Sequence, residues 1–329
     1  MRHLRYLYCF AALAVSCHGA AAREQAPSPG AQWPVRPVRF IVPYAPGGAT
    51  DIIGRLVAQK LGELLGQQFV VENRPGAGAS IGANLVATAV PDGYTLLLTN
   101  SGSHAAAPAL FPKLPYDPIK NFTHVALVAT TPTVLVVNKH TPFRTLESLV
   151  RYAKANPGKL SFATSGNGSS AHLVGEMLML EAGIGMVHIP YRGAGPAMLD
   201  VVANQVPMMF DSLGSASTNI RSGEVRALAV SSAARQNGFP DVPTFSESGL
   251  PNVESTSWFG VSGPAGLPPE IRKKLARAVV DAVNSPDVQA RLGELQFTPS
   301  SISPAEFPAF IQHEAARWKT TVQRAGIKL

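Results

Sequence analysis

The run Val38-Arg39-Phe40-Ile41-Val42-Pro43-Tyr44-Ala45-Pro46-Gly47-Gly48-Ala49-Thr50-Asp51 decides the fold class. It passes from a β-branched apolar strand through a glycine-rich turn into a helix over 50–65. That helix carries Ile53, Leu56, Val57, Leu61 and Leu64 on one face. A second unit has the same plan: the strand Leu160-Ser161-Phe162-Ala163, the turn Ser165-Gly166-Asn167-Gly168-Ser169-Ser170, then a helix over 171–181. A helix that starts straight from such a turn has unpaired backbone N–H groups and the positive end of its dipole pointing outward. Glycines let an anion approach that backbone closely. Neither turn continues into the Lys and Ser/Thr of a phosphate loop, so a nucleotide is not the expected anion. The two turns are expected to form opposite walls of one carboxylate site.

Outward from these units, strand and helix patterns alternate. Strands are expected at 69–71, 94–98 and 134–137, with a helix over 81–89 between the first two. A second set follows, with helices at 146–154 and 197–203 and strands at 186–189, 207–210 and 226–230. Such alternation implies an α/β fold with mainly parallel sheets covered by helices. Ligands on such sheets sit beyond the carboxyl ends of the strands, where both turns fall. The segment 238–257 is rich in Pro, Gly and Ser and reads as a crossing segment or hinge. A strand then begins at Trp258, and helices are expected over 269–284 and 304–324.

The first 22 residues read as a secretory signal peptide. Arg2 and Arg5 precede the short apolar core Leu7 to Val15, and Ala20-Ala21-Ala22 offers a cleavage site. Both cysteines, Cys9 and Cys17, lie inside it, so the mature chain would have neither thiol nor disulfide. A lipoprotein reading at Ala14-Val15-Ser16-Cys17 competes with this, with Ala where Leu is usual. The stretch 24–30 reads as a tether. The net charge of +7 falls to +5 without Arg2 and Arg5, a modest bias toward anionic ligands. Arg272-Lys273-Lys274 with Arg277 reads as a solvated helix face, with no nucleic-acid motif beside it.

Several motifs together resemble the solute receptors of tripartite tricarboxylate transporters, the periplasmic family also called Bug receptors. They are Arg36-Pro37-Val38-Arg39-Phe40-Ile41-Val42-Pro43 with Pro46-Gly47-Gly48, and Glu72-Asn73-Arg74-Pro75-Gly76-Ala77-Gly78. Next come Pro91-Asp92-Gly93-Tyr94, Leu114-Pro115-Tyr116-Asp117-Pro118, Ser165-Gly166-Asn167-Gly168-Ser169 with His172, and Pro190-Tyr191-Arg192-Gly193. Arg226-Ala227-Leu228-Ala229-Val230 and Pro240-Asp241-Val242-Pro243-Thr244 complete the set, which spans nearly all of 33–327.

The resemblance implies a two-lobed periplasmic binding fold of type II, with lobes at 34–137 plus 257–329 and at 138–256, and the ligand cleft between them. It implies a monomeric receptor, not an enzyme, with no cofactor, no metal and no nucleic acid partner. Such a receptor delivers a small organic acid to membrane permease subunits, or reports it to a sensor protein. Carried over by position, the contacts in the first lobe are Tyr44, Pro46, Gly47, Gly48, Asp51 and Ser101. Those in the second are Ser165, Gly166, Gly168, Ser169, Tyr191, Gly193 and Asp211, with the Gly168 turn expected to offer backbone N–H groups to a carboxylate.

Sharper chemistry has weaker support in the residues. Gly78-Ala79-Ser80-Ile81-Gly82 has the spacing of a serine-hydrolase elbow, and His172 and His188 are candidate bases. Nothing in the sequence brings them to Ser80, which is expected to cap the next helix instead. Gly76-Ala77-Gly78 lacks the acidic residue of a dinucleotide site about 20 positions on. His172 and Glu176 have a metal-compatible spacing but no third ligand at a recognisable distance.

Overall fold

The computed structural model describes residues 32–111 and 113–327, so the leader, Cys9, Cys17 and the tether lie outside the described residues. β1 (Val38–Val42) lies between β2 (Phe69–Asn73) and β3 (Thr95–Asn100) and runs parallel to both. In the second lobe β5 (Ser161–Thr164) is parallel to β6 (Val187–Pro190) and to β7 (Met208–Ser212). The two parallel cores are the units the sequence pattern expects, and the chain is α/β and two-lobed.

Two antiparallel strands join them. β4 (Phe122–Asn138) runs through both lobes. Its first part pairs with β9 (Thr256–Pro264), which also pairs with β3, and its second part pairs with β7 and β8 (Val225–Val230). The passage between lobes therefore falls at Pro132, opposite Thr256 in the register, and not at Asn138. Residues 133–137, expected in the first lobe, are paired inside the second sheet. Ser231 ties the crossing together: its N–H donates to the Thr133 carbonyl at 2.8 Å, and the Ser255 N–H donates to its carbonyl at 2.9 Å.

Alternation in each strand supplies a core on both sheet faces. Val38, Phe40 and Val42 face one core and Ile41 the other. Leu135 and Val137 face one side of the second sheet, while Val134 and Val136 face the opposite side. Helices cover these faces: α1 (Ala49–Leu65), α2 (Ser80–Ala87), α3 (Ala107–Leu110), α4 (Leu146–Ala155), α5 (Ser170–Ala182), α6 (Ala194–Val202) and α7 (Leu213–Arg221). α8 (Pro269–Asn284), α9 (Pro286–Glu294) and α10 (Phe307–Ala325) follow, and the two-residue β10 (Thr298–Pro299) adds to β4. Among the described residues no helix is long and apolar enough to cross a membrane.

Candidate functional site

The carboxyl ends of β1, β3, β5 and β7 point at one gap between the lobes, and each strand runs into a helical segment, β7 directly and the others through a short turn. α1, the turn Gly102–Ala106, α5 and α7 therefore aim their N-terminal ends at the same place. Each end has unpaired amide donors and a partial positive charge. Where they meet lies an inner chamber of about 40 Å³. By that measure one water needs about 10–15 Å³, so the chamber has room for about three waters, roughly the bulk of a three- or four-carbon acid.

Its walls are polar and short. Thr50, Ser101, Ser165, Ser169, Ser170, Ser212 and Ser257 supply hydroxyls, with Tyr44, Asn100 and Asp211 beside them, and no Lys, Arg or His lines it. Asn100 Oδ1 accepts from the Ser103 N–H at 3.1 Å, whereas its buried Nδ2 has no partner among the described residues. Ser101 Oγ and Ser170 Oγ stand 2.7 Å apart across the gap and link the lobes directly. Burial pushes the Tyr44 phenol up and the Asp211 carboxyl up to about 7, the latter against hydrogen bonds from Ser215 and Ser212.

An outer chamber of about 430 Å³ shares Tyr44 and Ser165 with the inner one. Gly166, Asn167, Tyr191 and Arg192 of the second lobe face the strained turn Gly76–Ala79 of the first, where four successive residues have positive φ. Tyr191 is pinned by its hydroxyl, which donates to Asp200 Oδ2 at 2.5 Å. Burial first, and then Asp200, raise that phenol to about 12. Arg192 is exposed and contributes a guanidinium at the mouth.

Of the residues expected to bind ligand, Tyr44, Ser101, Ser165, Ser169 and Asp211 line the inner chamber, and Gly166 and Tyr191 line the outer one. Pro46, Gly47, Gly48 and Gly193 line neither; they form a seam where the lobes touch. The Ala45 N–H donates to the Arg192 carbonyl at 3.1 Å. A Cβ at Gly193 would lie 2.8 Å from that of Ala45, and one at Gly48 would lie 3.2 Å from that of Ala194. The glycines here serve lobe-to-lobe approach rather than ligand approach.

Two of the expected residues already have partners of their own in the structure. Asp51 Oδ2 accepts from the Gly47 N–H at 3.1 Å and from Arg55 Nε at 3.0 Å, and Oδ1 accepts from Asn73 Nδ2 at 2.9 Å. Burial pushes this carboxyl up, but those donors outweigh it and hold it below its ordinary value. Asp51 thus braces the first turn from behind. The Gly168 N–H donates to His172 Nδ1 in the first turn of α5 at 3.3 Å. Gly168 has φ +76°, and a Cβ there would lie 3.1 Å from Phe111 of the first lobe.

The competing chemistry finds no geometry. Ser80 is the first residue of α2, behind Ala79 at the cap, and no side chain caps that helix. The ring of His172 faces Gly168 and Glu176, and His188 Nε2 lies 2.7 Å from Thr164 Oγ1. Burial and His172 hold His188 down at about 3. A larger cavity of about 460 Å³ lies against α10, but its cation Arg317 is already spent on Glu314 through two 2.9 Å bonds.

Thr50, Asn100, Ser170, Ser212 and Ser257 belong to the inner wall but escape sequence reasoning. The available signal was position: Asn100 and Ser212 end strands β3 and β7, while Thr50 and Ser170 open helices α1 and α5.

The family model described as "Tripartite tricarboxylate transporter family receptor" matches residues 53–327. Protein BugT of Bordetella pertussis is 38% identical over 94% of this chain and 95% of its own length. A solved R. palustris protein with adipate is 35% identical, with TM-score 0.87 over 90% of this chain and 99% of that one. MatC from Rhodopseudomonas palustris with bound malate is 36% identical, with TM-score 0.85 over 88% of this chain and 100% of that one.

Proposed function

The chain belongs to the tripartite tricarboxylate transporter receptor family, a family of solute receptors and not of enzymes, and on that premise we propose that it captures a short organic diacid between its lobes. The observation that carries this reading is the inner chamber, where four helical N-termini converge on a wall of hydroxyls and one unpartnered amide donor. Dipoles and hydrogen bonds, rather than cationic side chains, hold the carboxylate there. The adipate and malate found with its relatives are consistent with this chemistry.

A diacid of about four carbons fills the inner chamber. A six-carbon acid reaches past Ser165 into the outer chamber and places its far carboxylate toward Arg192. Closure of the lobes then presents a new surface to membrane permease subunits in the periplasm, where the leader would direct the chain.

A thermal-shift series of three- to six-carbon diacids tests this. A ligand at 100 times its Kd adds about 2.7 kcal/mol, which for a chain of this size raises Tm by about 5 °C. The four-carbon acid should give the largest shift. Arg192→Ala should lower the shift for the six-carbon acid alone. A series in which no acid raises Tm contradicts the receptor reading.

A further inference from the structure

Asp211 is the one carboxylate in the wall of the inner chamber, and anion capture by dipoles and hydroxyls gives it no part. The residue is 4% exposed. Oδ1 accepts from the Ser212 N–H at 2.7 Å and Oδ2 from the Ser215 hydroxyl at 2.7 Å. These use two of about four acceptor positions that a carboxylate offers. Among the described residues no cation neutralises it.

The elements packed around Asp211 bring few titratable groups, and Asp211 hydrogen-bonds to none of them. α1 brings Asp51, which holds Arg55. The turn before α1 brings Tyr44, whose phenol stays neutral. The Gly102–Ala106 turn brings His104, whose Nδ1 faces Thr99 and Ser103. α5 brings His172, which faces Gly168 and Glu176. β5 contributes Thr164, the partner of His188. The contacts from β4, β9 and α7 are Val134, Ser257, Phe259, Ser212 and Ser215.

A ligand carboxylate entering a chamber of about 40 Å³ comes into direct reach of this buried acid. Two carboxylates in one desolvated site cannot both stay ionised, and the stable arrangement is one proton shared between them. We propose, on the receptor reading above, that the inner chamber takes its anion together with one proton held between Asp211 and a ligand carboxyl group, so that capture above neutral pH is linked to proton uptake from solvent. Burial already pushes the Asp211 carboxyl up to about 7, before a second anion is counted. A bound anion raises it further.

Calorimetric titration with succinate at pH 8, in two buffers of different ionisation enthalpy, reads the linkage directly. Succinate is fully ionised there, so one proton should be taken up per molecule bound. The Kd should rise about tenfold per pH unit between pH 7.5 and 9, the slope for one linked proton. Asp211→Asn should remove that slope and bind succinate at least tenfold more tightly than the native chain at pH 8.5. Saturable binding without proton uptake overturns the linkage. So does weaker binding by Asp211→Asn at every pH, since an ionised Asp211 would then be accepting from the ligand. If succinate, malate and adipate all fail to bind at pH 6, the receptor reading falls, and the linkage with it.

Discussion

Gly195→Val should fold as stably as the native chain and bind succinate about 100-fold more weakly. Gly195 is the second residue of α6, on ordinary helical backbone, where almost any side chain favours the helix over glycine. It also sits on the seam. A Cβ there would run into the Pro46 carbonyl oxygen and lie 3.4 Å from Gly47 Cα, both backbone atoms of the opposite lobe. Neither can yield without moving the turn that Asp51 braces. The added methyl groups therefore penalise the closed arrangement and leave each lobe untouched. Overpacking of about 3 kcal/mol on closure converts to about 100-fold in apparent Kd. Calorimetry with succinate beside a melting curve separates the two effects. Unchanged affinity would mean that the seam does not have to close on the ligand.

Acid should weaken the fold through buried histidines, and His124→Gln should remove about 3 kcal/mol of that loss. His124 is 4% exposed; its Nδ1 lies 2.9 Å from Ser262 Oγ and its Nε2 3.1 Å from the Pro118 carbonyl oxygen. A neutral ring protonated at Nε2 satisfies both, donating to Pro118 and accepting from Ser262. Burial, offset in part by that carbonyl and reinforced by Arg272, holds its pKa down at about 4. Below pH 6.5 the unfolded chain binds a proton that the folded chain refuses. The stability is therefore complete above pH 6.5 and lost as pH falls toward 4, about 3 kcal/mol over 2.5 pH units. Asp211 acts in the opposite sense, because its raised pKa contributes stability that fades as pH rises toward about 7. Comparing native and His124→Gln chains by urea unfolding at each pH cancels that opposing slope. The gap between them should narrow by about 3 kcal/mol from pH 7 to 4; a constant gap would show that His124 titrates normally.

The strand–turn–helix units were legible because period-2 and period-3.6 patterns met at glycine-rich turns, and both units fold as read. β4 was legible only over its last residues. Its register shifts between His124 and Ala126 and again between Leu127 and Ala129, which breaks the alternation a reader depends on, and Pro132 then marks the crossing. α7 was missed because Leu213-Gly214-Ser215-Ala216-Ser217-Thr218 is rich in residues that favour turns. In the site, a glycine-rich turn marks close backbone approach but not what approaches. At Gly48, Gly193 and Gly195 the neighbour is the other lobe, and at Gly168 it is Phe111 of the other lobe and a histidine in the first turn of α5. Serines at strand ends have no pattern of their own, so Ser212 and Ser257 became visible only once the strands were placed side by side.

The central claim is that one chamber, built from four helical N-termini, receives a carboxylate. A crystal structure of the succinate complex tests it most directly. One carboxylate group should lie within hydrogen-bond distance of Asn100 Nδ2 and of backbone N–H groups at the start of α5 or α7, with the other group beside Asp211. Succinate found instead against α10, between Trp258 and Arg317, or confined to the outer chamber beside Arg192, would contradict the account.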